Sequence, residues 1–212
     1  MKRLTLSLLY CVLMRTFLKV IVGVGYRNRE AMKKVPQFVV VANHNSHLDT
    51  MALMSACSPG MIANTHPIAA GDYFGQSPIR AFFTRFFVNA ILIPRSRPKP
   101  GETGPDPIDL MSAQLAKGHS LILFPEGSRG EPEKFQKFKR GIGILLERHP
   151  DVHYIPVFMK GLGKSLPKGE TLLVPFNSLV LMGHPRKCEA KDVDGIVHEV
   201  EAAIRALAAE TQ

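Results

Sequence analysis

The chain has 212 residues, of which 45% are hydrophobic, and this length and apolar content support one domain with a substantial core and exclude a largely disordered chain. Three widely spaced cysteines without a Cys-x-x-Cys pair exclude a disulfide framework and a cysteine zinc site, and they favour a cytosol-facing location. The formal charge of +9 indicates an anionic partner, and the lack of Trp argues against a stacking platform for nucleic acid.

Residues 1–25 are predicted to form an amphipathic helix at a membrane surface. Lys2 and Arg3 precede an apolar stretch that Arg15 and Lys19 interrupt, so the uninterrupted run is too short to span a bilayer, and no convincing signal-peptide cleavage site follows it. On a wheel of 3.6 residues per turn, the basic residues gather on one side. The opposite side is apolar: Leu6, Tyr10, Leu13, Phe17 and Ile21. A helix packed on the domain core is the alternative that periodicity leaves open.

Residues 26–212 alternate short β-branched runs with helical patterns. This alternation predicts a single α/β domain, with a central mixed β-sheet flanked by helices. The predicted strands are residues 37–41, 61–69, 90–94, 120–124 and 153–159. The predicted helices are residues 49–57, 78–87, 107–118, 135–149 and 192–210. Asp106 and Pro107 mark the start of the third helix as its N-cap and first residue, and the Pro- and Gly-rich residues 94–107 are predicted to be a surface loop.

Two histidines and an aspartate stand close together in "VANHNSHLDT", residues 41–50, between a predicted strand and a predicted helix. A metal site would use His44, His47 and Asp49, although no further ligand cluster accompanies them. A catalytic site would use His44 as a base whose other ring nitrogen is held by Asp49. A polar turn after a buried strand is the third interpretation. These residues alone do not choose among the three.

A second polar turn follows the predicted strand at residues 120–124, in "LILFPEGSRG". Open α/β sheets tend to bind ligands at strand ends, so Glu126 and Arg129 are candidate site residues. Arg129 has the geometry for bidentate phosphate binding, and Glu126 can hold a hydroxyl or position that arginine. For this motif alone, a surface turn with a local ion pair is the more ordinary explanation.

Together, "NHNSHLD", "FPEGSRG" and "FKRG" resemble the glycerolipid acyltransferase family, which contains 1-acylglycerol-3-phosphate and glycerol-3-phosphate acyltransferases. The family's His-x4-Asp motif matches His44 and Asp49, and its Phe-Pro-Glu-Gly-(Ser/Thr)-Arg motif matches residues 124–129. Its acceptor-side arginine is similar to Arg95 in "NAILIPR", and a loose strand motif with proline is similar to "YIPVFMKG" around Pro156. The four blocks follow the family's order over more than half of the chain.

The resemblance implies transfer of a fatty acyl group from the thioester of acyl-CoA or acyl carrier protein to a hydroxyl of a glycerol phosphate or lysolipid. His44 would remove the hydroxyl proton and Asp49 would orient His44, without an acyl-enzyme, a metal or a tightly bound cofactor. Lys139 and Arg140 are further binding candidates, which can face the donor's phosphates or an anionic leaflet. The residues implied to place the acceptor are Arg95, Glu126, Gly127, Ser128 and Arg129.

The expected protein is therefore a membrane-associated acyltransferase on the cytoplasmic face, with membrane lipids as partners and lysophosphatidate as acceptor. Many lysophosphatidate acyltransferases have a Lys-x-Glu-Leu type segment where this chain has "AAGDYFG", with Gly71 at the lysine position. Another lysolipid or glycerol 3-phosphate is therefore the alternative acceptor. From other classes, the alternatives are a non-catalytic lipid-binding protein on the same scaffold and a metal-dependent hydrolase.

Overall fold

A computed structural model of the chain describes residues 1–71, 77, 82, 84–94, 104–132, 134–166 and 172–211. The strands in chain order are β1 (Val24–Arg27), β2 (Phe38–Ala42), β3 (Thr65–Ala70), β4 (Ile91–Ile93), β5 (Ser120–Leu123), β6 (His153–Lys160) and β7 (Ser178–Met182). They form one sheet in the order β1-β7-β6-β2-β5-β3-β4. Neighbouring strands are parallel except β6 and β7, which are antiparallel. This confirms the prediction of a mixed sheet in an α/β fold.

Helices cover both faces of the sheet. In chain order they are α1 (Lys2–Val22), α2 (Leu48–Ala56), α3 (Pro107–Leu115), α4 (Gly141–Arg148), α5 (Leu162–Ser165) and α6 (Val193–Ala209). Residues of β2 alternate between the two faces, as the period of two in a strand requires. Val40 packs with the helices α1 and α2. Val39 and Val41 pack with α3, α4 and α6 on the other face.

Some predicted elements differ from the structure. Strands β1 and β7 were not predicted, and the predicted strand at 61–69 begins only at Thr65, because Ile62–Asn64 forms a 3-10 turn. The predicted helix at 135–149 begins only at Gly141. The N-cap prediction is confirmed, since the Asp106 carboxylate accepts a hydrogen bond from the backbone N–H of Ile108 at 2.7 Å. In the predicted helix at 78–87, residues 82 and 84–86 are helical, and residues 78–81 and 83 lie outside the described residues. Most of the predicted loop at 94–107 also lies outside them.

The predicted apolar side of α1 is divided in the structure. Leu6 and Tyr10 are buried, whereas Leu13, Phe17 and Ile21 are exposed. The physical reason is that Ser7–Met14 and Leu18–Val22 are π-helical, and the wider turns of a π-helix shift side chains away from the 3.6-residue period. By length and composition alone, α1 is able to cross a membrane. One of its sides nevertheless belongs to the domain core: Leu6, Tyr10, Leu18 and Val22.

Helix α1 is fixed to α2 by polar contacts as well. The guanidinium of Arg15 donates to the carbonyl oxygens of Ser55 and Cys57, both at 2.8 Å, at the C-terminal end of α2. The Tyr10 hydroxyl lies 3.4 Å from the sulfur of Met51. The N-terminal helix α1 is thus anchored on α2, the helix that directly follows the polar turn containing His44.

Candidate active site

The two polar turns singled out in the sequence meet at one edge of the sheet. Strands β2 and β5 are parallel neighbours, so the turns that follow them leave the sheet at the same carboxyl edge. The carbonyl oxygen of His44 accepts a hydrogen bond from the backbone N–H of Gly130 at 2.9 Å. The imidazole of His44 stacks on the ring of Phe124, with centroids 4.1 Å apart. The turn after β5 therefore supports His44 through both its backbone and its side chain.

His44 is paired with Asp49, as the spacing predicts. The His44 Nδ1 atom lies 2.9 Å from Asp49 Oδ2, and the aspartate side chain is 1% exposed. Asp49 Oδ2 also accepts from the backbone N–H groups of Asn45 and Ser46, at 2.7 and 2.8 Å. A carboxylate at Nδ1 places the ring hydrogen there, which leaves the Nε2 lone pair free to accept a proton. The pair therefore has the geometry of an oriented base.

Two asparagines of the same turn brace this pair, and sequence reasoning did not assign them a role. The side chain of Asn43 donates to the carbonyl oxygen of Met159 at 2.9 Å and accepts from the Met159 N–H at 2.7 Å. Its amide also donates to the side-chain oxygen of Asn45 at 2.9 Å. The amide of Asn45 donates in turn to the carbonyl oxygen of Glu131. These contacts fix the turn of His44 to β6 and to the chain beyond "FPEGSRG".

Glu126 lies beneath His44 and is 2% exposed. Its Oε1 accepts a hydrogen bond from the backbone N–H of His44 at 3.3 Å, and its Oε2 accepts one from the amide of Gln136 at 3.2 Å. Burial raises the pKa of Glu126 from its ordinary value of 4.5 to about 7, and the hydrogen bonds from His44 and Gln136 oppose that rise. In this position Glu126 holds the backbone of His44, and its direct contact with an acceptor stays a prediction.

The turn after Glu126 depends on a glycine. Gly127 has a φ of +74°, and a Cβ at this residue would lie 2.5 Å from Lys139 Nζ, so the Lys139 side chain lies directly over it. Ser128 is exposed, and its carbonyl oxygen accepts from the amide of Gln136 at 2.9 Å. The backbone N–H of Lys139 donates to Pro125 O at 2.9 Å. These bonds keep the chain before Gly141 against the turn, which explains why the predicted helix begins late.

Among the described residues, Arg129 contacts His47 and forms no ion pair with a carboxylate. Its guanidinium lies within hydrogen-bonding distance of both ring nitrogens of His47. Partial burial, and then the charge of Arg129, lower the pKa of His47. The Arg129 guanidinium beside His47 would repel a metal ion bound to the same imidazole. Within the described part of the chain, no three His, Cys, Asp or Glu side chains are grouped so as to hold a metal.

Of the two remaining predicted binding residues, Arg140 points to α6. The Nε atom of Arg140 forms an exposed ion pair at 2.9 Å with Asp194 of α6. Arg95 lies outside the described residues. The structure thus brings together most of the predicted residues: His44, Asp49, Glu126, Gly127, Ser128, Arg129 and Lys139.

An open groove of about 540 Å³ begins at Arg129 and is lined further by Gly130, Lys134, Phe135 and Gln136. Gly130 is the residue whose N–H binds the His44 carbonyl, so the groove adjoins the His44 turn. Its lining combines an aromatic side chain with Arg129 and with the exposed ion pair between Lys134 and Glu131. The ring of Phe135 and the charge of Arg129 suit a ligand that carries both apolar and anionic groups.

Comparison with known proteins points to one family. A family model described as Acyltransferase matches residues 23–160. Tafazzin of Drosophila melanogaster is 28% identical over 147 residues, which cover 67% of this chain and 37% of that protein. The chloroplastic 1-acyl-sn-glycerol-3-phosphate acyltransferase LPAT1 of Arabidopsis thaliana is 25% identical over 171 residues, which cover 78% and 45% of the two proteins. The chain spans less than half the length of these two curated relatives.

The fold is shared with a solved structure. The crystal structure of the 1-acyl-sn-glycerophosphate acyltransferase PlsC from Thermotoga maritima has a TM-score of 0.72 to this chain. The match covers 93% of this chain and 76% of that one, at 20% sequence identity. This likeness confirms the α/β architecture, with helices on both faces of the sheet.

Proposed function

We propose an activity on the basis that the chain belongs to the acyltransferase family. In this proposal, the protein transfers a fatty acyl group from acyl-CoA or acyl carrier protein to the free hydroxyl of 1-acylglycerol 3-phosphate, and so forms phosphatidate. The observation that carries this proposal is the His44–Asp49 pair, 2.9 Å apart at the carboxyl edge of the sheet. The His44 turn is joined there to "FPEGSRG" through Gly130 and Phe124.

In the proposed reaction, His44 Nε2 takes the proton of the acceptor hydroxyl while that oxygen attacks the thioester carbonyl carbon. The new C–O bond gives a tetrahedral intermediate, which collapses with cleavage of the C–S bond. The leaving thiolate then recovers the proton from the His44 imidazolium. Asp49 stabilises that imidazolium and fixes its orientation, and a general base of this kind contributes roughly 10²–10⁴ in rate.

Arg129 and Lys139 are the groups we assign to the phosphate of the acceptor, together with Arg95. Both described cations stand on or over the turn that supports His44. An arginine binds phosphate with two parallel hydrogen bonds, while a lysine contributes a point charge. The neutral form of His47, favoured by its lowered pKa, allows Arg129 to remain available to an anion.

A different acceptor is the second candidate, and one contact favours it. Gly71 stands where many lysophosphatidate acyltransferases have a lysine, and a Cβ there would lie 3.3 Å from the carbonyl oxygen of Ile93. The ends of β3 and β4 therefore approach closely at this point, and a side chain would require the Ile93 backbone to shift slightly. This arrangement suits an acceptor that does not require a cation at residue 71, such as another lysolipid.

We further place the protein at the cytoplasmic face of a membrane, as a peripheral or monotopic enzyme. The support is the exposed apolar side of α1 and the positive charge of the chain. The proposal needs no metal and no tightly bound cofactor. A non-catalytic lipid-binding role on the same scaffold would make the oriented histidine dispensable.

The test is thiol release from a long-chain acyl-CoA in detergent micelles, with lysophosphatidate, glycerol 3-phosphate, a neutral lysolipid or no acceptor. We expect release that requires lysophosphatidate and that disappears in His44→Ala. Release that requires only a different acceptor would identify the second candidate. Release without any acceptor would identify a thioesterase. If acyl carrier protein as donor also gives no release, the activity is contradicted and the lipid-binding role is favoured.

A further inference from the structure

The side of α1 that faces away from the core carries exposed large hydrophobic side chains over most of its length: Leu4, Leu8, Val12, Leu13, Phe17, Val20 and Ile21. Thr16 and Lys19 are exposed among them. Single exposed leucines and valines are normal on a protein surface, but this number on one helix marks an interaction surface.

A second set of exposed apolar side chains lies in residues 172–176. Leu172, Val174 and Phe176 are 73%, 50% and 40% exposed. Leu173, which lies between the first two, packs instead against the core cluster on the α1 side of the sheet. Pro175 is exposed as well, so within residues 172–176 only Leu173 packs on the core. Leu173 therefore anchors the segment while its neighbours face outward.

Hydrogen bonds hold this segment beside the C-terminal end of α1. The backbone N–H of Phe176 donates to the carbonyl oxygen of Val22 at 3.2 Å, and that of Val174 donates to the carbonyl oxygen of Ser165 at 2.9 Å. The segment therefore connects the last turn of α1 with α5. Beyond α5, the carbonyl oxygen of Leu166 accepts from the Ser46 hydroxyl at 2.9 Å, within the turn of His44.

Cations of the described part of the chain lie beside both sets. Residues 1–29 contain no Asp or Glu, and Lys2 and Lys19 are exposed on α1. Lys164 of α5 lies over the ring of Phe176, with its Nζ 5.0 Å from the ring centre. Apolar side chains bordered by cations match an anionic bilayer, whose acyl region accepts the first and whose head groups attract the second. A purely apolar protein partner would gain nothing from these lysines.

We propose that residues 172–176, with Lys164, are a second lipid-contacting element. Together with the outward side of α1 they form one docking face for an anionic membrane. The contact between Leu166 and Ser46 places this docking face next to the turn that carries His44. This lipid contact rests on the membrane location proposed above and does not depend on which acyl donor or acceptor the enzyme uses.

The experiment is co-sedimentation of the full chain with vesicles of phosphatidylcholine, with and without phosphatidylglycerol. The double variant Leu172→Ser/Val174→Ser is expected to lower the partition onto anionic vesicles roughly tenfold, because it removes two side chains from the acyl region. Leu4→Ser/Leu8→Ser is the reference for α1 and is expected to lose binding to a similar degree. Thermal unfolding of both variants is expected to match the wild type, since the exchanged side chains are exposed.

A matched pair of charge variants tests the cation. Lys164→Ala is expected to weaken binding to the anionic vesicles roughly fivefold and to leave binding to pure phosphatidylcholine unchanged. Lys187→Ala removes the same charge from an exposed pair with Asp151 and is expected to bind like the wild type. Two results would overturn the proposal. In the first, the Leu172→Ser/Val174→Ser variant binds anionic vesicles like the wild type while the α1 variant loses binding. In the second, Lys164→Ala and Lys187→Ala lose equal amounts of vesicle binding. The vesicles contain no acyl donor, so neither result bears on the proposed reaction.

Discussion

The turn of His44 and the outward side of α1 differ in how far the rest of the protein contacts their side chains. In the turn, the Asp49 carboxylate receives three N–H groups, and the asparagines beside it are hydrogen-bonded to neighbouring strands and loops. On α1, the outward leucines and valines are left exposed by the described part of the chain. The turn is therefore organised before a substrate arrives, whereas the outward side of α1 gains stability only when an apolar environment covers it.

Substitutions in these two regions are expected to have different effects. Changes in the turn are expected to alter turnover, and changes on the outward side of α1 are expected to alter membrane binding with little effect on folding. The buried side of α1 forms a third case, since it belongs to the core that carries α2 and Asp49.

The largest expected effect is that of Asp49→Asn on turnover. An amide can present its N–H₂ group to Nδ1, which moves the ring hydrogen to Nε2 and removes the acceptor lone pair. We expect the rate of acceptor-dependent thiol release to fall by roughly 10²–10⁴. Asp194→Asn is the matched control, because that aspartate forms an exposed ion pair with Arg140. A rate for Asp49→Asn equal to that of the control would contradict the role of the pair.

The second-largest effect is a difference in the free energy of unfolding between substitutions on the buried and the exposed sides of α1. Leu18 is fully buried and Leu13 is 58% exposed on the same helix, so the two form a matched pair. Leu18→Ala is expected to lower the free energy of unfolding by about 2–5 kcal/mol, because it leaves a cavity. Leu13→Ala is expected to change it by less than about 0.5 kcal/mol. Urea unfolding of both variants in the same detergent measures this, and equal losses would show that α1 is not docked as described.

The third effect is a pH dependence that comes from Glu126. Its pKa of about 7 in the folded chain exceeds its ordinary value of 4.5, so the folded state binds the proton more tightly. The resulting contribution to the free energy of unfolding is fully present below pH 4.5 and is lost as the pH rises to 7. The free energy of unfolding falls in this window by at most about 1.4 kcal/mol per pH unit. We expect the free energy of unfolding of the wild type, relative to Glu126→Gln, to decrease across this window. A difference that is flat or increases with pH would refute the assignment.

The smallest effect is expected for Gly127→Ala. Alanine at a φ of +74° is strained and its Cβ would displace the Lys139 side chain, so we expect a loss of about 1 kcal/mol in unfolding free energy. Gly60→Ala serves as the control, because its φ is not positive and a Cβ there would meet only the Ser58 hydroxyl, at 3.8 Å. Urea titration of both variants measures the contrast. If both variants lose the same amount, the turn does not depend on Gly127.

Much of the site could be predicted because its parts are local in sequence. His44 and Asp49 are five residues apart in a strand-to-helix connection, where a turn folds them together. The strand β5 is a continuous apolar run, so the turn after it could be placed at the edge of the sheet. The contact between the two turns then follows from parallel pairing of β2 and β5.

The rest depends on contacts that the local pattern does not contain. Gln136 lies in a stretch with helical spacing, but its amide binds Glu126 and Ser128, so tertiary hydrogen bonds override that preference. The π-helical turns of α1 changed which side chains are buried, because a wheel of 3.6 residues per turn cannot represent them. Strand β7 has the apolar run "SLVLM" that could have been recognised as a strand, although its antiparallel pairing with β6 could not.

The proposed role of His44 as the general base is tested most directly by comparing His44→Ala with His47→Ala in acceptor-dependent thiol release. Both histidines lie in the same turn, but only His44 is held by Asp49, while His47 contacts Arg129. We expect His44→Ala to lower the rate by at least about 10², and His47→Ala to lower it much less. A severe loss in His47→Ala together with a nearly unchanged rate in His44→Ala would show that the base has been assigned to the wrong histidine.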